Sequence, residues 1–176
     1  MLLPTEFHPI VVHFPIALLM TSVVMDILAI LLRRWNLADM ATWLLGFGVV
    51  GAFVAGVTGN LSEGTANTAL AGDIIGQHTK FALATGVVFA FLFVVRIVAL
   101  APRLTVGLRG TYPALANGLE KQLRSVIPFV YQAPPAQLLI GLYLIASIIG
   151  LGLLATTGYL GGLMVYHHGV GTPPHS

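Results

Sequence analysis

The sequence predicts an all-α integral membrane protein, a four-helix bundle with its N- and C-termini on the outer side of the membrane. Three observations carry that reading. Hydrophobic residues make up 57% of the 176 residues and charged residues only 8%, whereas a soluble domain carries about 25% charged residues. Four apolar stretches reach the roughly 20 residues that a helix needs to cross a bilayer. The Lys and Arg residues gather on one side of those stretches.

The first expected span runs from Pro9 to Leu32 and ends at Arg33-Arg34; the second runs from Leu37 to Thr58 and ends at Gly59-Asn60. The third runs from about Gln77 to Ala101, with Pro102 as its stop signal. The fourth, from about Ala136 to Tyr166, is long enough to tilt or to project. The four form a single domain over residues 1–176. Residues 1–9 hold no Lys or Arg, so no cleavable signal peptide is expected.

Orientation follows from the excess of cations on cytoplasmic loops. With the N-terminus outside, the inner side receives Arg33, Arg34, Arg103, Arg109, Lys121 and Arg124, with Arg96 near the inner helix end. The outer side receives only Lys80. Trp35 and Trp43 then fall near the inner interface, where Trp is favoured. The expected location is a membrane that the chain crosses several times. The outer loop from Ser62 to Gly76 is rich in small and polar residues and is placed to cap a site. The inner segment 102–135 carries Leu115, Leu119, Leu123 and Ile127 at helical spacing, with Glu120, Lys121 and Arg124 between them. That pattern fits an amphipathic helix on the inner leaflet or against a partner subunit.

Five of the six histidines fall at the outer ends of these spans: His8 and His13 on the first, His78 on the third, His167 and His168 on the fourth. Histidine in a membrane is costly unless it binds, pairs or faces water, and it is the commonest metal ligand. The chain has no cysteine, which excludes disulfides, thiolate metal sites and covalently attached c-type haem. Imidazoles on facing helices are how four-helix bundles build cofactor sites. His8 and His13 lie five residues apart, a rotation of about 140°, so they do not grip one small ion together.

Two kinds of occupant compete. A b-type haem, one or two per chain, needs two axial imidazoles and an apolar slot, and Gly158, Gly161 and Gly162 near His168 leave room for one. A mononuclear transition metal needs three or four ligands, with Glu6, Glu63 or Asp73 as helpers. The apolar surroundings favour haem. Small residues also serve close helix packing, so each glycine alone carries little weight.

Asp26 and Arg96 lie well inside their spans, at similar depth, and an ion pair would relieve both. His8 to Asp26 and His78 to Arg96 are each 18 residues. If the charges pair, His8 and His78 are level. If the third helix starts earlier, near Asp73, His78 drops to the level of His13. The preferred axial pair is His13 with His78, since a ligand belongs inside the bundle rather than at its rim. His8 and His168 are the second candidates, for a second haem or for a propionate.

The run His8-Pro9-Ile10-Val11-Val12-His13-Phe14-Pro15-Ile16-Ala17-Leu18, with Asp26 beyond it, resembles bacterial membrane proteins of domain-of-unknown-function family 2231. The ending Gly161-Gly162-Leu163-Met164-Val165-Tyr166-His167-His168-Gly169-Val170-Gly171 is similar to that family's C-terminal signature, although relatives often carry Arg at the position of His167. His78 matches a histidine that opens the third helix. The resemblance covers all four spans and departs at 102–135, which looks like an insertion. It implies no established activity. Fusion of some relatives to Rieske-type or cytochrome c domains implies redox company.

The expectation is therefore a membrane subunit that holds haem b near the outer leaflet. It would pass electrons between a periplasmic redox protein and quinone or a larger membrane complex, surrounded by membrane lipid. A cofactor-free accessory subunit and a small His-rich metal site are the alternatives. No substrate-handling motif points to an enzyme acting alone, and the net charge of +2 points to no nucleic-acid partner.

Overall fold

The computed structural model describes residues 4–63, 72–126 and 136–167. They form five helices: α1 (Pro4–Leu31), α2 (Trp35–Glu63), α3 (Gly72–Arg109), α4 (Pro113–Val126) and α5 (Ala136–Tyr166). Helices α1, α2, α3 and α5 are each long and apolar enough to cross a membrane. They touch in the ring order α1–α2–α3–α5, and the contact that closes the ring, α5 with α1, is the thinnest. Large apolar side chains such as Phe14, Trp43, Phe53, Phe91 and Tyr159 point outward. In water that surface would be an aggregation hazard; in lipid it is the solvated face.

The turn from α1 to α2 shows how tightly that hairpin is drawn. The Arg34 amide donates to the Ala29 carbonyl and the Arg33 amide to that of Ile30. This is the pairing that satisfies orphan carbonyls at a helix end. It requires a left-handed residue, and Arg33 takes that role at φ 53°. Below the turn, α1 and α2 meet through Gly48, Gly51, Ala55 and Gly59 of α2. A Cβ added at Gly48 would lie 2.6 Å from Leu19 Cδ2 and 3.3 Å from the Leu19 backbone nitrogen. Leu19 is fully buried and cannot swing aside. Pro15 packs the same way over Gly51. These glycines are packing residues, the small-residue contact that draws membrane helices together.

The interior is organised along the α1–α3 diagonal. Helix α1 turns Pro15, Leu19, Ser22 and Asp26 inward; α3 turns Thr85, Phe89, Leu92 and Arg96 inward, at the same spacing. Leu19, Val23, Leu45, Phe89, Leu92 and Leu154 make the apolar centre. The Ser22, Thr85 and Ser147 hydroxyls, buried in it, bond back to carbonyls of their own helices, Leu19, Phe81 and Tyr143.

At one end of this diagonal, Arg96 Nη1 donates to Asp26 Oδ2 at 2.6 Å. Arg96 also donates to the Tyr143 hydroxyl at 3.0 Å and to the Ala38 carbonyl at 2.7 Å. The Tyr143 hydroxyl in turn donates to Asp26 at 3.3 Å. One guanidinium thus ties α3 to α1, α2 and α5 at once. The expected ion pair forms, and it is more elaborate than two charges.

Helix boundaries differ from the sequence reading at several ends, and α1 begins at Pro4 rather than Pro9. Helix α2 extends beyond Leu37–Thr58 at both ends. Helix α3 begins at Gly72 and runs through Pro102 to Arg109. Its extension is supported by α4, since Thr105 and Ala116 are both buried where the two helices meet; tertiary packing overrides the proline. At 38 residues α3 is about 57 Å long, well beyond the roughly 30 Å hydrocarbon core. The amphipathic segment is a helix, as its periodicity suggests, over Pro113–Val126.

Two outcomes test this packing. Gly48→Ala should destabilise the protein by about 1–3 kcal/mol through overpacking. Gly56→Ala, on the open side of the same helix, should be neutral or stabilising by up to about 1 kcal/mol. Thermal melts in detergent compare the two. Asp26→Ala should cost about 3–5 kcal/mol by leaving Arg96 buried without its counter-charge. Asp26→Leu combined with Arg96→Met should recover much of that loss in the same assay.

Candidate functional site

The end of the bundle opposite the ion pair carries the histidines. Asp26 faces Arg96, and 18 residues of helix are five full turns, about 27 Å. His8 therefore stands directly above Asp26, and His78 directly above Arg96. The two imidazoles come from diagonal helices at one level, counted from the ion pair. Both are half-buried.

Each ring is held from behind by the helix next to its own. His78 Nδ1 lies 3.0 Å from the Thr157 carbonyl of α5. A carbonyl only accepts, so Nδ1 carries the proton and Nε2 keeps its lone pair. The Thr157 hydroxyl, bonded to the Leu153 carbonyl, also meets the Thr85 hydroxyl at 3.2 Å. Thr157 thereby links the histidine to the core below it. His8 Nδ1 lies 3.1 Å from Thr58 Oγ1 of α2. That hydroxyl donates to the Ala55 carbonyl at 3.0 Å, so it accepts from His8. His8 then has the same tautomer, with Nε2 as the free donor of electrons.

Glycines make the rings fit. A Cβ at Gly59 would come within 3.0 Å of His8 Cε1, and one at Gly161 within 3.4 Å of His78 Cε1. The His8 ring sits where a side chain at position 59 would crowd it, while Gly161 stands within ordinary van der Waals reach of His78. A neutral imidazole with one nitrogen engaged by backbone or hydroxyl and the other bare is the form that ligates metals.

The other expected site residues are placed differently. His13 lies on the exposed side of α1, because five residues from His8 turn it about 140° away. Its Nδ1 donates to the Pro9 carbonyl at 2.5 Å, within its own helix. The structure therefore pairs His78 with His8 and not with His13, contrary to the preferred pairing. His167 is exposed in the turn after α5. His168 lies outside the described residues, as do the side chains of Glu6 and Glu63. Asp73 is exposed and accepts from Gln77. Among the described residues, no three His, Asp or Glu side chains converge as a metal cluster.

Gly158 and Gly162 have open space where a Cβ would stand. Gly158 lines an apolar cleft of about 310 Å³ with Ile16, Met20, Leu151, Leu154 and Ala155, at the thin α1–α5 seam. The glycine in contact with His78 is Gly161. Thr58, Thr157 and Tyr143 were not legible as site residues. A threonine that bonds its own helix looks, in sequence, like any other small polar residue of a membrane span.

The sequence profile of DUF2231, described as a predicted membrane protein family, matches residues 4–174. The chain belongs to the DUF2231 family. Comparison with curated proteins and with solved structures gives no match. The matched range of this DUF2231 protein spans all four membrane-length helices.

The tautomer assignment has a direct readout. In ¹⁵N-histidine spectra at pH 8, His78 should show a protonated Nδ1 and a bare Nε2. Thr157→Ala should preserve that pattern, because the acceptor is backbone.

Proposed function

We propose that this DUF2231 protein is a haem b–binding electron-transfer subunit with His8 and His78 as the axial ligands. The observation that carries the reading is the pair itself: two level imidazoles from diagonal helices, each with Nδ1 engaged. A donor set of two suits an axially ligated group better than a small ion wanting three or four ligands. The open positions at Gly158 and Gly162 and the apolar cleft beside them support room for a flat apolar group along α5.

Haem iron would supply one-electron transfer, its potential set by the axial ligands and their surroundings. The chain would do the rest. Thr58 and the Thr157 carbonyl fix the ring orientation and raise the basicity of Nε2. The apolar walls lower the local dielectric. The cation bias of the opposite end supports placing the site near the outer leaflet of a bacterial inner membrane, within reach of a periplasmic redox protein. Quinone or a larger complex would take the second electron-transfer role. His168 remains a candidate for a second ligand or a propionate contact.

The test is a reduced-minus-oxidised visible spectrum with pyridine haemochrome quantitation of protein from haem-replete cells. One b-type haem per chain is expected, lost in His8→Ala and in His78→Ala and retained in His13→Ala. Absence of Soret absorption in well-folded protein would overturn the reading. Loss in His13→Ala with retention in His8→Ala would overturn the ligand assignment.

A further inference from the structure

The thin seam between α1 and α5 is open enough to hold a ligand. Its cleft, about 310 Å³, is walled by Ile16 and Met20 of α1 and by Leu151, Leu154, Ala155 and Gly158 of α5. These walls are apolar, and the volume falls at the lower end of the roughly 300–1,000 Å³ of small-molecule sites. Gly158 has open space where a Cβ would stand, so α5 leaves the upper end of the cleft unfilled. Met20 is half exposed, which opens the cleft sideways to the membrane. Ile16 and Met20 lie 8 and 12 residues along α1 from His8, about 12 and 18 Å below it. The cleft therefore runs under the histidine layer, and an occupant there leaves the space beside Gly162 to a group held by His8 and His78.

His13 stands at the rim of this cleft. It is three residues before Ile16 and seven before Met20 on α1, and seven residues bring a helix back to within about 20° of the same azimuth. The face of α1 that His13 shares is thus the face that lines the cleft. Its ring is exposed, and Nδ1 donates to the Pro9 carbonyl at 2.5 Å. A carbonyl only accepts, so the neutral ring offers Nε2 as an acceptor. The seam carries no cation: α1 has no Lys or Arg and α5 has no charged residue. That disfavours an anionic headgroup. The chemistry that fits is a neutral molecule with an apolar tail for the cleft and a hydroxyl for His13. A quinol has both. A quinone, with carbonyls in place of hydroxyls, has no proton to give an unprotonated Nε2.

We infer that the α1–α5 cleft binds a quinol, its tail between the helices and one hydroxyl donating to His13 Nε2. The site rests on the electron-transfer reading for its purpose, whereas binding is measured without haem. Native mass spectrometry of the full chain in detergent, under anaerobic conditions, reads the retention of added decylubiquinol, decylubiquinone or phosphatidylcholine. The quinol should be retained over both. His13→Ala should weaken quinol retention about fivefold, the worth of about one hydrogen bond, and leave quinone retention unchanged. Gly158→Leu, which fills the cleft, should lower both. His8→Ala, which removes a proposed haem ligand, should keep the quinol preference. Equal retention of quinol and quinone would overturn the inference. So would displacement of the quinol by an equal concentration of phosphatidylcholine, or a quinol preference untouched by His13→Ala. A haem spectrum without the quinol preference sinks this site alone; the quinol preference without a haem spectrum sinks the haem reading alone. If Gly158→Leu fails to fold, His13→Ala decides, since that side chain is exposed.

Discussion

Arg96 sets the register of the whole bundle. Its guanidinium reaches Asp26 on α1, the Ala38 carbonyl on α2 and the Tyr143 hydroxyl on α5, while itself belonging to α3. In a hydrocarbon surround, apolar helices slide past one another at little cost, because lipid tails are as apolar as leucine. A charge that must be satisfied at one depth removes that freedom. Breaking the pair by removing one partner is far costlier than never having had it, so the staple specifies an arrangement more than it adds stability. What it specifies is the level of His8 against His78, because both stand five helical turns above its members.

The glycines divide into two populations with different work. On α2, Gly48, Gly51 and Gly59 sit where a Cβ would strike Leu19, Pro15 and His8. They bring α1 and α2 together and, at the last position, give an imidazole its resting surface. On α5, Gly150 and Gly161 press on Phe89 and His78, whereas Gly152, Gly158 and Gly162 face open space. The same residue type closes one seam of the ring and leaves another thin. The thin seam is where the bundle has room for something other than itself.

Much of this was legible from the amino-acid order. Four spans, the basic end, the amphipathic α4 and the Asp26–Arg96 pair all follow from composition, charge and periodicity. The equal 18-residue spacings contained the histidine pairing too, conditional on the ion pair. The preference for His13 weighs depth over azimuth, and the structure turns His13 to the exposed side of α1. His13 does lie deeper than His8, but on the wrong side of α1. Helix α3 passed Pro102 because packing on α4, a contact between distant elements, is invisible in a local stop signal. The supports at Thr58 and the Thr157 carbonyl were out of reach for the same reason. Hydrogen bonds between helices leave no periodic trace, and a backbone acceptor leaves no trace at all.

The two polar layers also differ in what they permit. The Arg96 layer ties a charge, a hydroxyl and a backbone carbonyl to one guanidinium across four helices. In the histidine layer, among the described residues, each ring is anchored through Nδ1. A purely structural histidine pair has no need of matched tautomers on two unrelated supports, a hydroxyl on one side and a carbonyl on the other. The two supports differ in chemistry, and both engage Nδ1. The ion pair about 27 Å below then serves to hold those two nitrogens at one height.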